Sequence, residues 1–334
     1  MKRRFGITQL AHFGEIKRRC KMSQQEMSKK MNGITNPDHR QDIVILTEVI
    51  NGNPNGDPDN EGRPRVDEET GYGYITNVCF TRKIRDYIDR IYNDGTNGFG
   101  MYIQNDAPLE VKRENIYKDC GITIKRKTKK GKGGEETEGG YEAKGDPKDV
   151  AKAVVAICEK FYDVRMFGAV ASLGINCGRV TGATQFTFAR SEEPVTVIDF
   201  ALTRKAVNSQ KEVDEGKETE MGAIRSIIPH AIYKGYAFIT PHYVAKNGVT
   251  MKDLEVFFEA VQGMYAMDRA AMRGCMFVRG VYVFTHENPL GNAPEHELFK
   301  RIKVKKVDTN ADEYEVIVDE ENMPEGVTLT RLVG

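Results

Sequence analysis

The chain has 334 residues, with 49 Lys plus Arg balanced by 49 Asp plus Glu and an apolar content of 40%. That length supports one large domain with insertions or two domains, and the apolar share is ample for a core. Zero net charge excludes a global basic field, so any nucleic-acid binding must come from a local stripe.

The six Cys include no Cys-x-x-Cys pair and the six His no His-Glu-x-x-His spacing. This argues against zinc and a disulfide framework and fits a reducing cytoplasm. No apolar run reaches the roughly 18 residues of a membrane span, and the N-terminus lacks an apolar stretch followed by a small-residue cleavage site. No cofactor and no membrane association are expected.

Residues 1–41 are rich in Lys, Arg, Gln, Met and Ser and read as a peripheral extension that ends in the Pro-containing break "TNPDHRQ". The first recognisable core strand begins only after them, so removing residues 1–40 is expected to leave assembly and ligand binding intact. "DIVILTEVI", from Asp42 to Ile50, is a buried strand. It runs into "NGNPNGDPDNEGRPRVDEETG", whose Gly, Pro, Asn and Asp forbid helix or central strand, so Asn51 to Gly71 reads as a long structureless loop.

"TNVCFTRKIRDYIDRIY" places Ile84, Ile88 and Ile91 at helical spacing, with Thr76 or Asn77 as the cap. Residues 95–146 break the rhythm with a basic run and then an acidic one, which reads as a solvated insertion. "PKDVAKAVVAICEKFYDVRMFG" restores helix, with Pro147 in its first turn. "GATQFTFARS" and "PVTVIDFALT" alternate as a strand pair around "SEEP".

A second polar excursion spans 204–229, and "HAIYKGYAFIT" is again a strand. "TMKDLEVFFEAVQGMY" is a helix with Leu254, Phe257, Phe258 and Val261 inward, and "GCMFVRGVYVFTH" is the last core strand. The order β, α, β, β, α, β is the ferredoxin-like, RNA-recognition-motif-like split βαβ pattern, an α+β fold with two large insertions.

The loop from Asp57 imitates an EF-hand in its carboxylate spacing, but Pro54, Gly56, Gly71 and Gly73 flank it where helices are required. No Gly-x-x-x-x-Gly-Lys-Ser/Thr exists. No nucleophile, acid/base pair or metal set stands at recognisable spacing, and "HENPLGNAPEH" between His286 and His296 reads first as a structural exit. With Ile84 and Ile88 turned inward, Arg82, Lys83 and Arg85 form an outward stripe suited to phosphates. The amides of Asn51, Asn53 and Asn55 add donors on the loop.

"NGNPNGDPD", "GYITNVCFTRKIRDYI", "VRMFGAV", "TGATQFTFARS", "MGAIRSIIPHAIY" and "RGVYVFTHENPLGNAPEHELF" together resemble the CRISPR-associated backbone subunit of the type I-C Cascade surveillance complex, a family of the RAMP superfamily. The similarity runs from about Asp42 to about Ile302. It implies a ferredoxin-like palm, a finger-like insertion at about 95–146 and a thumb at about 203–229.

It further implies a non-catalytic protein whose copies line up along one CRISPR RNA beside other Cascade subunits and display the guide to target DNA. Under the resemblance Arg82, Lys83 and Arg85 face phosphate, Arg165, Phe167 and Gly168 match an "RxFG" block, and Gln185 contacts RNA. In the thumb, Arg204, Lys205 and Arg225 lie along the backbone while Met221 or Ile224 wedges against a base. Asn77 departs from the acidic residue more usual at its position. The rival reading is a RAMP endoribonuclease that processes CRISPR repeat RNA, and a third is a module that binds protein only.

Overall fold

In the computed structural model the chain is described from residue 31 to 334, except for 96, 106, 125, 131–135, 142–145, 205–208, 216–219 and 308–312. The first strand, β1 (Arg40–Gly52), alternates Ile43 and Ile45 towards one face and Val44 and Leu46 towards the other, and all four are buried. Both faces of this strand are covered, which is why its sequence is a continuous apolar run instead of an alternating one.

After the short β2 (Tyr72–Ile75) comes helix α1 (Asn77–Ile91), capped by the Thr76 side chain, which accepts from the Cys79 N–H. The insertion that follows holds α2 (Leu109–Asp119) and a hairpin of β3 (Arg126–Lys130) and β4 (Glu136–Tyr141). Helix α3 (Pro147–Lys160) ends where α4 (Tyr162–Phe167) begins, so the single helix expected here is two, divided at Phe161. β5 (Gly168–Val170) and β6 (Arg179–Thr181) then form a small hairpin.

The strands β7 (Thr184–Phe186), β8 (Ala189–Pro194) and β9 (Ile198–Arg204) do not pair with one another as expected from sequence. All three pair with β10 (Glu220–Ile239), a strand of 20 residues reached through α5 (Gln210–Asp214). The second half of β10 lies beside β1, and its first half runs out of the sheet as a two-stranded ribbon with β9.

The chain continues through α6 (Pro241–Asn247), α7 (Met251–Gly263), β11 (Cys275–His286), α8 (Glu295–Phe299), β12 (Ile302–Lys306), β13 (Tyr314–Val318) and β14 (Val327–Val333). The main sheet runs β14-β11-β1-β10-β8-β2, antiparallel throughout. Its centre, β11-β1-β10-β8, is the spatial order that the β, α, β, β, α, β succession of a ferredoxin-like fold produces.

One face of the sheet carries α1 and α7: Phe80, Ile84 and Ile88 meet Leu254, Phe257, Phe258 and Val261 over Ile43, Ile45, Tyr233 and Val283. The other face packs Val44, Leu46, Ile232 and Phe284 against Leu298 and Ile302. A satellite core ties α2 and α3 to the β5–β6 hairpin through Ile116, Tyr117, Ile157, Ala171 and Cys177. Within the stretch read as an extension, Ile34 and Thr35 are fully buried and Met31 packs on the main core. The folded chain thus reaches back at least to Met31.

Candidate nucleic-acid interface

The Asn-rich loop is folded, which corrects the reading of it as structureless. Its N–H and C=O groups pair internally: Asp57 N–H to Arg63 O at 2.8 Å, Gly62 N–H to Asp57 O at 2.7 Å, Arg65 N–H to Asn55 O at 3.1 Å and Tyr74 N–H to Arg65 O at 2.9 Å. The Asn side chains hold the loop to its neighbours. Asn53 Nδ2 donates to Gly62 O at 2.8 Å, while its backbone N–H reaches Met272 O at 2.7 Å. Asn55 Oδ1 accepts from both the N–H and the hydroxyl of Thr76, each at 2.9 Å, and so fixes the start of α1. Arg63 reaches Asp199 on β9 at 3.1 Å, which ties the loop to the base of the ribbon.

These ties build a groove of about 670 Å³ between the loop, the first turns of α1, the base of the ribbon and the segment 264–274. Five cationic side chains line it, Arg65, Arg82, Lys83, Arg225 and Arg273, against one carboxylate, Glu61. Apolar side chains line it too: Val78, Phe188 and Ile224, 66%, 56% and 57% exposed, together with Met272. Two buried polar atoms of the lining residues, Asn53 Oδ1 and Arg65 Nε, have no hydrogen-bond partner. Buried polar atoms are almost always paired in folded proteins, so their convergence on one groove points to a polar occupant.

Such a lining suits single-stranded nucleic acid, with cations for phosphate and exposed aromatic or apolar side chains against which a base can lie. Burial pushes up the thiol of Cys79 beside the groove, so it stays protonated there.

Of the residues singled out from sequence, Asn53, Asn55, Arg82, Lys83, Ile224 and Arg225 come together here. The expectation that Arg82, Lys83 and Arg85 all face outward is corrected. Lys83 is 1% exposed and paired with Asp268, and Arg85 is buried with its Nε 2.9 Å from Asp163. At about 100° per residue, both sit on the flanks of the Ile84–Ile88 face and only Arg82 lies opposite it. A carboxylate from another element closes over each flank.

Arg165 is also internal: its guanidinium reaches Asp253 at 2.7 Å, Gly98 O at 2.7 Å and Cys158 O at 3.2 Å. Phe167 belongs to an aromatic cluster with Tyr162, Phe186 and Phe257. Gly168, at φ 81°, is where a Cβ would meet Val180 O at 2.6 Å and Gly182 N at 2.7 Å, so the "RxFG" and "TGAT" segments touch backbone to backbone. These residues build the fold behind the groove.

Asn51 is exposed in the left-handed region at φ 48°, and Gln185 is exposed and donates to Gly182 O at 3.1 Å; neither lines the groove. Arg204 and Met221 pair in the ribbon backbone with Glu220 and Thr203, while Lys205 lies outside the described residues. Sequence reasoning missed Arg65, Phe188, Met272 and Arg273. Arg65 was within sight, because it stands in the Asn-rich loop. Arg273 had no signal of its own, since the segment 264–274 carries no motif.

The class is an antiparallel α+β scaffold bearing a cation-lined groove. The chain belongs to the CRISPR-associated protein Cas7 family, whose sequence profile matches residues 39–322. It is 27% identical over 134 residues to a CRISPR-associated protein Cas7 of Haloferax volcanii, an alignment that covers 40% of this chain and 33% of that protein. The matched part is thus about a third of the length of that relative.

Among solved structures it is similar to a chain of a CRISPR RNA-guided surveillance complex, pre-nicking (14% identity, 73% of this chain and 78% of that one, TM-score 0.42). It is also similar to a chain of a Type III-B Cmr-beta complex bound to cognate target RNA (11% identity, 80% and 66%, TM-score 0.36).

Proposed function

We propose that this chain is the guide-RNA-binding backbone subunit of a type I-C CRISPR surveillance complex. Copies of it line up along one CRISPR RNA in a helical filament and hold the guide for pairing with target DNA. It works in the cytoplasm, with other subunits of the complex as neighbours, and catalyses no cleavage. The observation that carries this reading is the groove, in which four arginines, the buried Lys83 and three exposed apolar side chains meet. A subunit repeated along a variable guide must hold backbone and shape and leave sequence to base pairing. Among the described residues no helix is long and apolar enough to cross a membrane.

The test is purification of the full chain with its RNA, read by the absorbance ratio at 260 and 280 nm, followed by incubation with CRISPR repeat RNA. Retained RNA of guide length and uncut repeat RNA are expected. Cleavage of the repeat would favour the endoribonuclease reading, and a chain free of RNA would favour a protein-binding module.

A further inference from the structure

Three cations converge on Asp268, a carboxylate with 10% side-chain exposure in the segment 264–274. Arg82 reaches its Oδ1 at 3.3 Å and Lys83 closes on Oδ2. Arg273 Nε lies 3.1 Å from Oδ2 as an ion pair without the geometry of a hydrogen bond. Burial raises the carboxyl, but the Lys83 hydrogen bond and the charges of Lys83, Arg273 and Arg82 outweigh it and hold Asp268 below the usual carboxylate range. Asp86, one turn further along α1, also pairs with Arg82, so two carboxylates face three cations and the cluster keeps a surplus of one positive charge.

The three cations have different surroundings. Lys83 is sealed at 1% exposure, its ammonium 5.4 Å from the centre of the Tyr265 ring. Arg82 and Arg273 are 43% and 37% exposed and line the groove. Asp268 itself does not line the groove but stands behind the residues that do. Lys83 therefore offsets the charge of Asp268, and the surplus resides on two guanidiniums that share Asp268, with Arg82 braced by Asp86 as well. A guanidinium braced on one side has its other N–H groups pre-aimed, which is the geometry that favours phosphate oxygens.

We propose that Asp268 is a positioning residue that fixes Arg82 and Arg273 as a two-pronged clamp for one backbone phosphate of the bound strand. This rests on the guide-RNA reading above and adds to it the residues that grip the phosphate.

The clamp and simple charge counting predict opposite signs for one variant. Asp268→Asn removes a negative charge beside the groove, so unpositioned electrostatics alone would tighten RNA binding. The clamp predicts binding about tenfold weaker, because Arg273 loses its carboxylate partner and Arg82, left with Asp86 alone, is no longer tied to it, with recovery in Asp268→Glu. The full chain is titrated with single-stranded RNA of fixed length across a salt series, beside a thermal melt. Arg273→Gln, at the groove margin, covers the case in which Asp268→Asn fails to fold; its log–log salt slope is expected to fall by about 0.7.

Asp268→Asn binding as tightly as wild type or tighter, or an unchanged slope in Arg273→Gln, overturns the clamp while leaving the guide-RNA reading in place. Absence of RNA binding by the wild-type chain overturns both.

Discussion

Asn55 and Thr76 are joined by two hydrogen bonds, with one side-chain oxygen accepting both the backbone N–H and the hydroxyl of the helix cap at 2.9 Å. The loop that borders the groove and the helix that contributes Arg82 are thereby one unit. Asn55→Ala removes both bonds and is expected to lower stability by about 1 kcal/mol and to weaken RNA retention. Asn55→Asp keeps the acceptor and should recover most of the stability. Urea denaturation of the two variants side by side makes the comparison.

The buried Arg165 predicts a different pattern. It pairs with Asp253, itself 3% exposed, at 2.7 Å behind the groove. Arg165→Met leaves that carboxylate without its cation and is expected to cost about 3–5 kcal/mol of stability, while the salt slope of RNA binding by the remaining folded protein stays unchanged. A fall in slope would place Arg165 on phosphate.

The N-terminal boundary has a direct test in two chain starts. A chain beginning at Gln41 lacks the fully buried Ile34 and Thr35, whereas one beginning at Met31 retains them. The shorter chain should melt lower, by an amount corresponding to about 2–4 kcal/mol for the lost core side chain. Equal melting temperatures would return residues 31–40 to the periphery.

Acid separates the Asp268 cluster from other contributions. Its folded carboxyl lies below the ordinary range, so the stabilisation is complete above about pH 4 and disappears as pH falls through the depressed folded value. The stability difference between wild type and Asp268→Asn should therefore be constant from neutral pH down to about pH 4 and shrink below it. Denaturant midpoints at a series of pH values measure this.

The ribbon tip tests assembly. Its sequence is acidic at Glu212, Asp214, Glu215, Glu218 and Glu220, which phosphate would repel, so its proposed partner is a basic surface on the next copy. Replacing Gln210 to Glu220 with a short Gly-Ser turn should leave weak binding to short RNA but abolish regular filaments in electron micrographs. Normal filaments would remove the tip from the interface.

The sequence by itself determined the scaffold, because periodicity and capping are local. Ile84 and Ile88, Leu254 and Phe257, and the unbroken apolar run of β1 name their elements without knowledge of any partner. Thr76 and Pro147 mark helix starts by the same local rules. Where that local signal is faint, as in α2, whose buried side chains are only Arg113, Ile116 and Tyr117, the helix was not legible.

The groove was half legible: its Asn-rich loop and Arg82 stand out in composition and spacing, but Arg273 and Phe188 reach it from distant segments. Tertiary structure alone decided which cations face solvent. Lys83, Arg85 and Arg165 are buried because Asp268, Asp163 and Asp253 close on them from 185, 78 and 88 residues away. Helical spacing gives a side chain's direction, whereas a charge is buried only where the fold delivers a counter-charge to meet it.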